Sequence, residues 1–262
     1  MTMFQVARPR IDETNWVAVM TFAVCMIVFQ FSVQESCPER DFDYVETLRV
    51  LRSSIAINQE SLPYLQKSKH WPLIVHRNSI PNKPLSPRMK ASFYRLDSLI
   101  SESLDSDSMN YDEEERAEIN RQAFEELQKW TVECQGVPRT WKNYCEWPAA
   151  VNAEYLDLLA EGDDIALLIL IHWCAVMYMS PKRWFVTAWS KRAATIAAVK
   201  LKKDWGDLLA WPWEIFTTRP EVSTRAFLVE KYQKHAKSRS ALTRGFNERV
   251  LEGIQSHAQT VV

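Results

Sequence analysis

Apolar residues recur every three or four positions along most of this chain. This spacing places the apolar side chains on one face of an α-helix. The stripes are Tyr44, Leu48, Leu51 and Ile55; Phe93, Leu96, Ile100 and Leu104; Ile119, Ala123, Leu127, Trp130 and Cys134; and Leu242, Phe246, Val250 and Ile254. No segment alternates in the manner of a strand. The pattern predicts an all-α fold of about nine or ten helices in a single domain over residues 1–262, with a core over 15–215 and a helical extension over 216–262.

Two stretches are apolar on every side. Residues 14–34 carry no charge, and a second run extends from Ile165 to Met179 and contains His172. Helices that are hydrophobic all round are typical of positions surrounded by other helices, so we predict that both runs lie in the core. The first run is close to the ~20 residues that span a bilayer. A membrane anchor over 14–34 is therefore the alternative, although we expect the chain to be free of membranes.

Helix boundaries are marked mainly by proline. The prolines within residues 69–88 predict an irregular connection, and Trp211-Pro212 predicts a break near the end of the core. Gly162 is typical of a helix C-terminus, because glycine readily adopts the left-handed conformation found there. Asp163 follows it directly and is typical of the residue that caps the next helix.

Composition excludes several classes of function. The chain has 32 basic and 33 acidic residues among 262, a formal net charge of −1, which gives no reason to expect nucleic-acid binding. Only 5 of its 262 residues are glycine, which is about 2%, whereas the usual share is ~7%. The scarcity of glycine therefore argues against a glycine-built phosphate cradle and against β-architectures rich in tight turns.

No constellation of residues nominates a chemical site. None of the five cysteines lies two to four positions from another, so no zinc site is encoded. Cys25 and Cys174 lie in apolar runs, and we interpret them as small core residues. His172 is interpreted as a core histidine whose nitrogens are hydrogen-bonded. We therefore predict no catalytic, cofactor-binding or metal-binding residues, and no enzymatic activity.

One charged residue interrupts an apolar arc. If residues 184–201 form a single helix, Arg192 lies among Phe185, Trp189, Ile196 and Val199. A charge in such a place is paired, or its stem lies along apolar surface with its head in water. Two interpretations follow: an ion pair that locks two helices, or an anchor for the polar end of a ligand.

Basic residues form three small clusters, which a single helical face cannot align, so we expect no direct DNA binding from them. These clusters are Lys182-Arg183, Lys191-Arg192 and Lys200 with Lys202 and Lys203. A further basic tract from Lys231 to Arg244 is compatible with a nuclear localisation signal.

The stretch from Trp147 to Glu214 is the most informative part of the sequence. After the apolar run it continues with Trp184-Phe185, Trp189, Trp205 and Trp211-Pro212. An apolar helix, an aromatic pair, a following Trp and a closing Trp-Pro resemble the C-terminal regulatory domain of fungal zinc binuclear cluster transcription factors. The similarity is greatest to the sterol uptake control protein group.

The resemblance extends upstream and covers roughly residues 15–215. Leu48-Arg49 and the following Val50–Arg52 are similar to the Leu-Arg-Gly helix of that group, although glycine is absent here, and Tyr64–Leu73 is similar to the segment after it. Two departures stand out. The six zinc-binding cysteines of the family are missing, and Phe185 replaces the second aromatic of the usual Trp-Trp pair.

The resemblance implies a transcription regulator or co-regulator in the nucleus, shuttling from the cytoplasm, without a DNA-binding module of its own. It also implies an apolar cavity for a sterol-like ligand, and a homodimer or a heterodimer with a full-length transcription factor. The tryptophans can line such a cavity or fill it. The alternatives are a helical enzyme of secondary metabolism with an apolar pocket, which would need His172 and a carboxylate to converge there, and the membrane-anchored protein.

Overall fold

The structure is a computed structural model that describes residues 11–72, 84–104, 111–181 and 183–218. Within these ranges every regular element is helical, so the all-α fold class is confirmed. The chain divides into two compact units, Met1–Pro220 and Glu221–Val262, and the described residues all belong to the first. The predicted helix from Leu242 to Ile254 and the basic tract from Lys231 to Arg244 lie outside the described residues.

Nine α-helices and one short 3-10 helix, Glu39–Asp41, occupy the described ranges. The α-helices are α1 (Trp16–Ser36), α2 (Tyr44–Lys67), α3 (Pro87–Leu104), α4 (Tyr111–Glu133), α5 (Trp141–Ala150), α6 (Ala153–Glu161), α7 (Asp164–Tyr178), α8 (Trp184–Lys200) and α9 (Gly206–Thr218). The last of these includes the first three residues of the predicted extension over 216–262. The chain therefore continues its packed fold slightly past the predicted core limit of 215.

Helix α7 is the centre of the domain. Every residue from Ala166 to Tyr178 is buried, as the apolar run predicts. It packs most extensively against α8, and it also contacts α3, α4, α6 and α9. A helix covered from this many directions needs apolar residues on all sides, which explains the composition of the run.

The turn before α7 follows the predicted capping chemistry. Gly162 has the left-handed conformation, with φ 75°, and ends α6. The carboxylate of Asp163 accepts a hydrogen bond from the N–H of Ala166 at 2.9 Å, and another from the side-chain amide of Asn120 at 3.0 Å. The cap thus satisfies one of the free amides at the start of α7 and also ties that end to α4.

Helix α1 does not have the surroundings predicted for it. It packs lengthwise on α2: the hydroxyl of Tyr64 donates to the carbonyl of Ile11 at one end, and the N–H of Asp43 donates to the side chain of Gln34 at the other. Between Trp16 and Met26, however, only Ala23 is buried. The prediction of a core helix was wrong here, because neighbouring helices cover one side only.

The predicted break at Trp211-Pro212 is also wrong, since α9 runs through Pro212. A proline inside a helix removes one backbone hydrogen bond and introduces a steric clash. Trp211 and Pro212 are both buried, and the Trp211 ring packs edge-on against Phe93 with centroids 6.0 Å apart. Tertiary packing offsets the local cost.

Candidate functional site

The aromatic string comprises Trp184-Phe185, Trp189, Trp205 and Trp211. Phe185, Trp189 and Trp211 are buried, and Trp184 and Trp205 are half-buried. Trp189 on α8 is fully buried. Its ring meets Phe31 of α1 edge-on at 5.1 Å between centroids, and Trp173 of α7 at 6.0 Å. Phe185, one turn earlier, stacks on Trp141 of α5 at 5.9 Å with nearly parallel planes. These contacts join α1, α5, α7 and α8 through the same two turns of α8.

Further tryptophans continue this packing into the rest of the domain. Trp173 stacks on Trp147 of α5 at 5.1 Å, and Trp211 of α9 lies 6.0 Å from the ring of His172. Trp205 is half-buried, and its indole N–H donates to the carboxylate of Asp164 at 3.1 Å. In the part of the chain that the structure describes, these rings fill space between helices.

The indole N–H groups of Trp173 and Trp189 are buried and have no hydrogen-bond partner among the described residues. Buried donors of this kind are uncommon in native proteins. Each lies in a mainly aromatic environment. The two groups supply no convergent set of polar atoms that would orient a ligand.

His172 is a core histidine, as interpreted from the sequence. It is completely buried, with Nδ1 2.8 Å from the carbonyl oxygen of Leu168 and Nε2 3.0 Å from the hydroxyl of Ser92. Burial lowers the pKa of the imidazole from 6.5 to about 4, although the hydrogen bond to Leu168 opposes the shift. Neither partner is a carboxylate, so the pairing that the enzyme alternative requires is not formed at this residue.

Arg192 joins α8 to the end of α1. Its guanidinium donates to the carbonyl of Gln34 at 2.8 Å and to that of Cys37, and it lies over the ring of Phe42 at 5.0 Å. Both carbonyls belong to the C-terminus of α1, where the helix dipole favours a positive charge. Arg192 therefore joins two helices, as the first interpretation expected, and these main-chain carbonyls are among its partners.

Other residues of the basic clusters also lie over aromatic rings. The guanidinium of Arg183 lies over Trp141 at 4.9 Å, and the ammonium of Lys200 lies over Tyr44 at 4.8 Å and donates to its hydroxyl at 3.2 Å. Lys203 lies 5.8 Å from the ring of Trp205. Cation–π contacts with separate rings do not form a single basic surface.

Three of the five cysteines are buried, Cys37 is half-buried and Cys25 is exposed. Cys174 is buried in α7, as predicted, and burial raises the pKa of its thiol well above the ordinary value. Cys134 and Cys145 are also buried, and their pKa values rise to about 12 for the same reason. Cys25 is exposed on α1, so its assignment to the core was wrong. The described residues contain no group of three or more metal-ligating side chains.

A surface cleft lies between α4 and α5, with a volume of about 160 Å³. Ligand pockets for sterol-sized molecules usually have ≈ 300–1,000 Å³ and mainly apolar walls. This cleft is smaller and is lined by charged side chains together with two indoles. Its lining comprises Glu126, Lys129, Trp130, Glu133, Glu146, Trp147 and Ala150. Its dimensions and charges do not suit a sterol.

The outer face of α1 is the most distinctive surface of the described chain. The segment Trp16–Gln34 has a mean hydropathy of 2.1, yet only 17% of the window is buried, and by length and composition it could cross a membrane. Phe22 is 54% exposed and Phe29 is 60% exposed. Exposed apolar surface concentrated in this way is typical of an interaction site. Sequence reasoning found the helix and missed its exposure.

No protein-family model matches the chain, and no match was found among curated proteins or among solved structures.

Proposed function

We propose that this protein is a regulator or co-regulator of transcription that works in the nucleus through contacts with other proteins. It resembles the regulatory half of a fungal zinc cluster transcription factor. In this proposal the domain performs no bond-breaking chemistry. Its helical body is a scaffold, and its output is a change in which proteins are held together.

The observation that supports the proposal is the burial of residues of the aromatic string in the core. Phe185, Trp189 and Trp211, which carry the sequence resemblance, are all buried and connect helices from both ends of the domain. Residues that hold a core together constrain the fold more than residues on its surface do. We infer that the resemblance concerns the interior of the domain, and the regulatory role is proposed by analogy with that family alone.

Contacts with proteins have more support than the sensing of a sterol-like molecule. Trp173 and Trp189 occupy the space between α7 and α8 with their own rings, and a cavity for a sterol would require these or similar rings to move. A ligand switches a protein only when it binds one state better than the other. Mass spectrometry of lipid extracted from the purified protein tests this version, and a stoichiometric sterol would contradict our preference.

A tethering assay tests the regulatory role. The full chain is fused to an unrelated DNA-binding module and placed upstream of a reporter gene. We expect reporter output to rise or fall severalfold relative to the module alone. The matched control is Trp189→Ala, which removes the central ring of the string and should abolish the effect. A folded fusion in the nucleus that leaves reporter output unchanged would contradict the proposal.

Membrane attachment through α1 is the second candidate. The observation that favours it is an uncharged helix of sufficient length that is mostly exposed. It predicts that the protein stays with the lipid fraction after a carbonate wash. A regulator of the proposed kind is released by the wash, and a tagged copy is found in the nucleus.

A further inference from the structure

The exposed side of α1 carries a single stripe of apolar residues, which we call the α1 stripe: Ala18, Phe22, Cys25, Phe29 and Val33. Their spacing of three or four residues places them on one face of the helix. All five are exposed, and the segment from 16 to 34 contains no Asp, Glu, Lys or Arg. The stripe is therefore a continuous uncharged surface about 25 Å long.

We propose that a second copy of this chain covers the α1 stripe, with the two α1 helices antiparallel about a twofold axis that passes between Cys25 and Met26. The stripe has nearly the same order of sizes in both directions: small Ala18, large Phe22, small Cys25, large Phe29 and the medium Val33. An isologous contact requires a self-complementary surface of this kind.

The proposed axis gives each residue a definite neighbour. Phe22 and Phe29 are equally distant from the axis, so the two phenyl rings of one helix face those of the other. Ala18 and Val33 are also equally distant from it, which places a small side chain against a larger one at each end. Cys25 lies beside Cys25 of the second copy.

The area available suits a weak dimer. The exposed parts of Phe22, Phe29 and Val33 are 54%, 60% and 40% of their full surfaces, and Val17 beside the stripe is 55% exposed. With Ala18 and Cys25, burial of this face in both copies removes roughly 1,000 Å² from water, the lower limit for a specific interface. The dimer is consequently expected to dissociate on dilution.

A second copy fits this surface better than a lipid bilayer does. Helix α2 lies beside α1 along its whole length and exposes Arg49, Glu60 and Lys67. If α1 crossed a bilayer in this arrangement, it would bring the charges of α2 to the same depth, where each costs several kcal/mol. A second copy can cover the α1 stripe while α2 keeps its charges in water.

Experiments on the purified full chain test this inference. They do not depend on the proposed role in transcription, because dimerisation is measured without a transcription assay. Sedimentation equilibrium should show a concentration-dependent mass that rises from 30.6 kDa to twice that value. A short bismaleimide should link two copies through Cys25. Cys37 supplies the matched control, because the antiparallel arrangement separates the two Cys37 residues by about 35 Å.

Two cysteine variants locate the axis. Cys37→Ala should keep the crosslinked dimer, and Cys25→Ala should lose it. A crosslink that survives Cys25→Ala would overturn the antiparallel arrangement. The wild-type mass requires no substitution, so a monomer at every concentration would overturn the proposal even if the variants behave poorly.

A charge in the stripe tests its role directly. Phe29→Glu should weaken dimerisation about a hundredfold or more, because two carboxylates would lose water at the interface. Tyr94→Glu is the control, since Tyr94 is an exposed aromatic residue on α3 and outside the stripe. Binding to vesicles of neutral phospholipid that Phe29→Glu abolishes, in a protein that stays monomeric without lipid, would assign the stripe to membranes and overturn the proposal.

Discussion

Helices α1 and α7 consist of similar residues but lie in different surroundings. Both are uncharged through their middle, and both read as core helices in the sequence. In α7 every residue from Ala166 to Tyr178 is buried, whereas only 17% of the window in α1 is buried. Helix α7 is enclosed by helices from five directions, and α1 packs mainly on α2 and α8.

The difference shows that an apolar sequence favours burial of a helix, but that neighbouring helices decide how much of its surface is buried. Burial of a large apolar side chain contributes ≈ 1.5–3 kcal/mol relative to its exposure. Helix α7 obtains this contribution at nearly every position. Helix α1 obtains it only along one side, at Ala23, Ile27 and Phe31. Substitutions at comparable positions in the two helices should therefore differ in effect.

The largest expected contrast is between two tryptophans. Trp173 of α7 is fully buried between Trp147 and Trp189, and Trp16 of α1 is half-buried. Trp173→Ala should lower the free energy of unfolding by about 3–5 kcal/mol through lost contacts and a cavity. Trp16→Ala should lower it by no more than about 1–2 kcal/mol. Urea denaturation of both variants measures the difference, and equal losses would contradict the comparison.

The next effect is a dependence on pH that belongs to α7. The pKa of His172 is lowered from 6.5 to about 4 in the folded protein, because burial disfavours the charged imidazole. Above pH 6.5 the side chain is neutral in both states, and the full stability is present. As the pH falls from 6.5 to 4, the unfolded chain binds the proton more readily, and about 3 kcal/mol is lost.

The variant His172→Gln separates this effect from other titrations. Carboxylates titrate mainly below pH 5, so the free energy of unfolding is measured between pH 7 and pH 5. The wild-type protein should lose stability over this interval, and the variant should show a flatter profile. The segment 16–34 of α1 has no histidine or carboxylate, so a substitution such as Phe22→Ser should leave the slope unchanged. Parallel profiles for wild type and His172→Gln would contradict this assignment.

A smaller loss of stability is expected for substitutions of Arg192, which connects α8 to α1. Arg192→Met removes the hydrogen bonds to the carbonyls of Gln34 and Cys37 while it keeps most of the apolar stem. Because the site is only partly buried, the cost should be about 1–2 kcal/mol. Arg192→Lys keeps the charge near the dipole and should cost less. If Arg192→Met is as stable as the wild type by thermal unfolding, the lock contributes nothing.

The smallest expected difference concerns the two N-caps. Asp163 accepts from the N–H of Ala166, so Asp163→Ala should cost about 1 kcal/mol. At the start of α1, Asn15 accepts instead from the N–H of Asp12 at 2.9 Å, and its side chain does not cap the helix. Asn15→Ala should therefore cost less than Asp163→Ala in the same urea titration. The reverse order would contradict this account of the caps.

The sequence predicted local features of the fold well. The chemistry of Gly162 and Asp163 depends on backbone conformation and on amides one turn away, and neither requires knowledge of the tertiary fold. The burial of α7 was also predictable, since a central helix must be apolar on every side. The break predicted at Pro212 failed because packing of Trp211 in the core outweighs a local preference.

The surface of the molecule was harder to predict. The exposure of Cys25 and Phe29 depends on which helices are present to cover α1, and periodicity contains no information about that. Two of the groups that Arg192 contacts are carbonyls from a segment about 155 positions away. A charge on an apolar arc indicated that something must compensate it, but the compensating group became visible only in the structure.

The two partnerless indole groups in the core have a consequence for engineering. An unsatisfied buried donor typically costs about 1–3 kcal/mol, and natural proteins are seldom at their optimum of stability. The phenyl ring of Phe lacks the N–H of indole, so position 189 or 173 offers a route to a sturdier variant, provided that the lost volume is refilled from a neighbouring side chain.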